Sequence, residues 1–265
     1  MKRVLSFVAV LAVLVFATGA RADADSATHY YLALGDSLAA SVQPNGDFSH
    51  GYAEQLYGSL LGRDPKLELV KLGCGGESTT TMIVRSPWCG FTAGSQLAEA
   101  EAFLRAHRGE VAFVTIDIGG NDLIAADGGG VAAVQVNLPV ILAQLRAAAG
   151  PDVPIVGMNY YYPFLPDIWF GTHDPSALQG AVDAITQFND VLASLYADAA
   201  DPVADVETAY STTDTGDADA DGVPTDVENV CAWTWQCASP PHGPDLHPNT
   251  AGYGVIARAF DDALA

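Results

Sequence analysis

Five short apolar runs recur along the chain: YYLAL (30–34), LELVKL (67–72), VAFVTIDI (111–118), VPIVGMNY (153–160) and PVADV (202–206). Continuous apolar stretches of this length suit strands buried on both faces. Between them the apolar positions change to helical spacing. In the segment 174–196, Asp174 can cap and Pro175 occupies the first helical position, while Leu178, Val182, Ile185, Phe188, Leu192 and Leu195 fall on one face. AEQLYGSLL (53–61), SQLAEAEAFLRAH (95–107) and VAAVQVNLPVILAQLRAAA (131–149) read the same way, with Pro139 expected to kink the last. A final helix is expected after Pro248-Asn249, burying Tyr253, Ile256, Phe260 and Leu264. Strand–helix alternation predicts an α/β fold, a five-stranded parallel sheet between two helical layers in a flavodoxin-like three-layer sandwich. No internal repeat and no linker divides it.

The N-terminus follows a different pattern. Lys2 and Arg3 precede an apolar run to Phe16, and Ala20-x-Ala22 follows. This is the layout of a secretory signal over residues 1–22, leaving 23–265 as one mature domain. The run is shorter than the ~20 residues a membrane span requires, and no later segment is expected to span. Without Lys2, Arg3 and Arg21, eight basic residues face 32 acids, a net charge of about −24. Such a chain is repelled by nucleic acid and by anionic membrane surfaces. Four cysteines in an exported chain are expected to pair. Three connectivities are open, and the local one, Cys74–Cys89 with Cys231–Cys237, is preferred.

Candidate chemistry lies where the strands end. In parallel α/β sheets, ligands bind beyond the carboxyl edge of the strands. Ser37 follows the first run, CGGEST (74–79) the second and GGND (119–122) the third, and DLHPN (245–249) comes after the fifth. A serine hydroxyl is a poor nucleophile until a base takes its proton, and His247 is the candidate base. Asp36 and Asp122 are expected to bond backbone groups around these loops.

Together these segments resemble the SGNH hydrolases, the GDSL family of esterases and lipases. The resemblance runs from Gly35-Asp36-Ser37 through LGCGGEST and IDIGGNDL to HPNTAGY, and so covers the mature chain. It implies Ser37 as nucleophile, His247 as base, and an oxyanion hole of Ser37, Gly76 and Asn121. The implied reaction is hydrolysis of a small-molecule or lipid ester through an acyl-enzyme, with no cofactor needed for catalysis. Apart from the resemblance, a monomer without a stable membrane anchor is expected. The G-x-S-x-G elbow of the α/β-hydrolases is absent. One position departs from the family pattern: three residues before the histidine, where an aspartate is common, stands Pro244. Asp245 is the candidate third member, with a backbone carbonyl as the alternative partner of the imidazole. The aromatic stretch MNYYYPFLPDIWF (158–170) is expected to wall an acyl site.

DADADGVPTDVE (217–228) is a separate feature, within an acidic insertion at 214–230. Asp217, Asp219, Asp221, Gly222 and Glu228 match the D-x-D-x-D-G-x₅-E calcium loop, and Val223 would offer its carbonyl. A structural calcium ion is the expectation. A carbohydrate deacetylase is the alternative enzyme. A non-catalytic, calcium-dependent binding module would leave Ser37, Gly76, Asn121 and His247 unexplained.

Overall fold

The computed structural model describes residues 28–124 and 129–265; the signal-like segment 1–22 lies outside them. Strands β1 (His29–Gly35), β2 (Leu67–Lys71), β3 (Val111–Asp117), β4 (Ile155–Met158) and β5 (Val203–Ala204) form one parallel sheet in the order β2-β1-β3-β4-β5. Helices α1 (Tyr52–Leu60) and α10 (Thr250–Leu264) pack together over one face, and α3 (Gln96–Ala106), α5 (Gly130–Ala149) and α7 (Pro175–Asp198) line up over the other. Coverage on both sides is why Leu32, Leu34, Val114, Ile116, Ile155 and Val156 are all fully buried. Strand order reverses between β1 and β3, and a crevice opens at the carboxyl ends of strands on either side of such a reversal.

The loops at that edge carry α2 (Thr79–Ile83), α4 (Gly120–Ile124), α6 (Leu165–Thr172), α8 (Val206–Ala209) and α9 (Thr225–Trp233). A second, two-stranded antiparallel sheet joins β6 (Thr234–Trp235) to β7 (Asp245–Pro248). It gives His247 a strand for support, where the sequence suggested only a loop before the last helix.

Several expectations of burial and apolarity need correction. Helix α5 runs from Gly130 to Ala149 with Pro139 inside it. It also reaches the length and apolarity of a spanning helix, with a mean hydropathy of 1.4. Ala132, Val136, Val140, Ala143 and Ala147 share its exposed face with Gln135 and Gln144, while Leu138, Ile141, Leu142 and Leu145 are buried within the domain. On α7, Leu195 is only partly buried, and Asn189 and Tyr196 take places in the core. Asn189 is admitted because its amide is satisfied, accepting from the Tyr160 N–H at 2.9 Å and donating to its carbonyl at 2.8 Å. Leu264 is likewise only partly buried, although Tyr253, Ile256 and Phe260 are fully inside.

Candidate active site

The turn after β1 is built on β3. Gly35 lies beside Asp117 in the register and has φ +131°; a Cβ there would stand 2.1 Å from the Asp117 carbonyl oxygen. Only glycine tolerates both demands. Asp117 Oδ2 accepts the Asp36 N–H at 3.1 Å and the Ala39 N–H at 3.4 Å, while Oδ1 accepts the Tyr52 hydroxyl at 2.5 Å. Asp36 Oδ1 accepts the Leu38 N–H at 2.9 Å. The two buried carboxyl groups also face each other. Burial pushes both above the usual carboxylate range, and the Asp36 charge pushes Asp117 further. Ser37 thus rests on a buried acid pair clamped by backbone amides.

Asp36 also reports where the other members lie. Against its burial act the bonds from Asp117 and Leu38, the charge of His247 and the hydroxyl of Ser37, so the hydroxyl meets this carboxylate and the imidazole lies within range of its charge. Among the described residues no hydrogen bond joins Ser37 Oγ to His247. Such contacts are often long without substrate and tighten in the complex.

The second loop is tied to both neighbours. The Cys74 N–H donates to the Gly35 carbonyl at 3.1 Å, and Asn121 Nδ2 donates to the Glu77 carbonyl at 3.0 Å. Gly76 between them has φ +78°, and a Cβ there would meet the Trp88 indole at 3.3 Å. Among the described residues the N–H groups of Ser37 and Gly76 donate to nothing. Asn121 has a second amide hydrogen to spare. Asp122 caps α2, its carboxylate accepting from the Thr79 N–H at 2.8 Å and the Thr79 hydroxyl at 2.6 Å. The carboxyl of Glu77 is buried with neither oxygen hydrogen-bonded, and burial pushes its pKa up.

On β7, Asp245 Oδ1 accepts the His247 backbone N–H at 2.9 Å and lies 2.7 Å from the ring Nδ1. One oxygen therefore fixes both the chain and the imidazole. Tyr161 donates its hydroxyl to the Leu246 carbonyl at 2.9 Å, and Asn249 caps α10 through the Ala251 and Gly252 amides. The strand bearing His247 is thus held at both ends.

A family description, the GDSL-like lipase/acylhydrolases, matches residues 33–255. The chain belongs to this family. A member of the GDSL-like family is a carboxylic ester hydrolase, and the loops just described carry its motifs. No curated protein sequence matches the chain. Solved structures do. The acetylxylan esterase Axe2 of Geobacillus stearothermophilus superposes with a TM-score of 0.57 at 16% identity, covering 90% of this chain and 95% of that one. TesA gives 0.53 at 18% identity, over 89% and 98%. An α/β hydrolase from the metagenome of Lake Arreo, Spain, gives 0.57 at 17%, over 89% and 95%. These likenesses establish a shared fold.

In this GDSL-family chain a cavity of about 490 Å³ opens beside the nucleophile turn, with Ser37, Asn121 and Leu246 in its lining. Of the aromatic stretch 158–170, only Tyr160 to Phe164 reach it. The rest folds into α6, where Phe170 is half exposed; the wall expected from the sequence is half as long. Cysteines pair locally as preferred, Cys74 with Cys89 and Cys231 with Cys237. The first bridge closes a 15-residue span that includes Gly76 and Trp88, a constraint of roughly 3 kcal/mol on the unfolded chain. In the acidic loop the carboxylates of Asp217, Asp219 and Asp221 lie within 4.8 Å of one another. Glu228, on α9, faces the field of all three. Sequence reasoning missed Asp117, Tyr52 and Tyr161. The signal was present for one: an acid at the end of the apolar run VAFVTIDI.

Proposed function

We propose that this hydrolase works through a covalent acyl-enzyme on Ser37. As Ser37 Oγ bonds to the ester carbonyl carbon, His247 Nε2 takes its proton and the carbonyl electron pair moves onto oxygen. That oxyanion is received by the Ser37 and Gly76 N–H groups and by Asn121 Nδ2. Asp245 holds the Nδ1 proton, leaving Nε2 free to accept, and stabilises the imidazolium. The tetrahedral adduct collapses with cleavage of the bond to the alcohol oxygen, which leaves with the Nε2 proton. Water then gives a proton to His247 and attacks the acyl carbon. Ser37 departs with that proton, and the carboxylic acid is released.

The observation that carries this reading is the set of unspent donors, Ser37 N–H, Gly76 N–H and one Asn121 hydrogen, on the loops that flank the nucleophile turn, together with the Asp245–His247 pair on β7. The test is Ser37→Ala on p-nitrophenyl butyrate. A fall in kcat of at least ~10⁴ is expected; a folded Ser37→Ala protein with wild-type turnover overturns the mechanism.

We further propose that the chain is exported and that residues 217–228 bind calcium. Two disulfides support an oxidising compartment. The clustered carboxylates of Asp217, Asp219 and Asp221, with the Val223 carbonyl and Glu228 as further ligands in the proposal, would make an all-oxygen donor set that suits a hard cation, and φ +95° at Gly222 supplies the sharp turn. The ion's role is structural, since it orders the segment entering α9. With Kd near 10⁻⁴ M and calcium near 1 mM, binding adds about 1.4 kcal/mol, or roughly 3–6 °C in melting temperature. Superimposable melts in calcium and in chelator contradict it.

A further inference from the structure

We infer that Trp88 is a specificity-determining residue on the alcohol side of the ester, a platform for an alcohol that presents a flat ring, sugar or aryl, next to the ester oxygen. The inference rests on the ester-hydrolase reading above and names the leaving-group class of that site.

Trp88 is the most exposed large apolar side chain among the described residues, at 76%. Its backbone is nonetheless held. Pro87 precedes it with a fixed φ, and Cys89 follows it, bridged to Cys74. The Trp88 N–H donates to Ser86 Oγ at 3.2 Å, and that oxygen lies 3.2 Å from Cys74 Sγ. Trp88 is therefore tied on both sides to the loop that carries Gly76. A lone apolar residue facing water needs no explanation, but one clamped beside an oxyanion donor does. Among the described residues the main-chain bond to Ser86 is the only hydrogen bond Trp88 makes, so its indole N–H is unspent.

The indole has a definite place relative to the reacting atoms. Its Cδ1 and Nε1 stand 3.3 Å from the position a Gly76 Cβ would take, so the ring lies against the residue whose N–H awaits the oxyanion. Asn121, the donor across the hole, lines the cavity of about 490 Å³, whereas Gly76 and Trp88 stand outside it. An ester held by both donors therefore reaches from the cavity toward Trp88. The order of bond cleavage assigns the two arms. The alcohol leaves first, while the acyl group stays bonded to Ser37, so the alcohol needs the open side and the acyl arm the enclosed one. The open side carries the exposed indole. A flexible alkyl alcohol would touch that ring along a line, whereas a flat ring covers it. A sugar offers a face of C–H groups and oxygens that accept from Nε1–H, and an aryl group offers a stacking partner. Because the Trp88 backbone is already held, little freedom is lost when the ring arrives.

A ring laid on an aromatic side chain, with the apolar area it removes from water, is worth roughly tenfold in binding. The experiment measures kcat/KM on ethyl acetate, benzyl acetate and methyl glucoside acetylated on its primary hydroxyl. All three are acetates of primary alcohols, so the acyl arm is constant and the leaving groups are alike in reactivity. The proteins are wild type, Trp88→Ala, Trp88→Leu and Ser37→Ala, and the readout is the ratio of each ring ester to ethyl acetate. The expected result is a fall of roughly tenfold in at least one ring ratio in both Trp88 variants. The ester whose ratio falls further names the ring as sugar or aryl. Ratios that stay within about twofold of wild type in Trp88→Ala, or that leucine, apolar but without a ring face, preserves, overturn the platform and leave the mechanism standing. Turnover by a folded Ser37→Ala protein overturns the mechanism and the inference with it.

Discussion

Asp245 meets His247 through a single oxygen, and that detail sets what its replacement should do. Oδ1 accepts the His247 main-chain N–H at 2.9 Å and faces Nδ1 at 2.7 Å. In Asp245→Asn the main-chain donor still demands an acceptor, so the amide oxygen stays inward and Nδ1 keeps its proton. The tautomer survives, and what is lost is the negative charge opposite the imidazolium. Replacing a charge-assisted bond by a neutral one costs about 1–2 kcal/mol, or roughly 5–30-fold in kcat. Asp245→Ala removes the acceptor altogether. The ring can then turn or carry its proton on Nε2, where it cannot take one from Ser37, and the loss should approach ~10³–10⁴. The assay is kcat on p-nitrophenyl butyrate for both variants, with melting curves to confirm folding. Alanine within tenfold of wild type would refute the role of Asp245. Equal, large losses in both variants would refute the single-oxygen argument, because they mean the asparagine has presented its NH₂ to the ring.

Other consequences follow from the same contacts. Asn121→Ala should lower kcat by ~10²–10³, about 3–4 kcal/mol of transition-state stabilisation, while KM and the fold change little; unchanged kcat removes Asn121 from the oxyanion hole. Burial raises the folded-state pKa of Asp117 and Asp36, so the folded protein keeps a proton that the unfolded chain releases. The stability this gives is complete below the usual carboxylate range and is lost as pH rises through the folded-state value. Asp117→Asn keeps an acceptor for the amides but cannot ionise, and should therefore flatten the decline in melting temperature as pH rises. Asp117→Ala leaves the Ala39 amide without a partner and takes the close acceptor from the Tyr52 hydroxyl, and should lower both stability and kcat. Parallel pH–melting curves for wild type and Asp117→Asn would contradict the raised pKa of Asp117.

The sheet and its loops were legible because parallel strands buried on both faces read as plain apolar runs. All five observed strands lie on the predicted runs, although β4 keeps four residues of the eight expected and β5 two of five. Order along the chain then placed Ser37, Gly76 and Asn121 at one edge without knowledge of packing. The ribbon under His247 was not legible. Thr234–Trp235 is too short to show a period, and it is held in place by an antiparallel partner ten positions on and by the Cys231–Cys237 bridge. Nor was the acid pair legible, because a carboxylate next to a serine looks the same in sequence whether it faces water or Asp117. The aromatic stretch misled for a related reason: hydrophobicity marked Trp169 and Phe170 as wall residues, yet Pro166 in the first turn starts a helix that carries them away from the cavity.

The central claim is that Ser37 is a nucleophile activated by His247. Treatment with a fluorophosphonate ester, followed by peptide mass mapping, tests it most directly. The account predicts one stoichiometric adduct on the peptide containing Ser37, with labelling slowed by orders of magnitude in His247→Ala. A folded, unlabelled wild-type protein, an adduct on another serine, or equal labelling rates with and without His247 would contradict it.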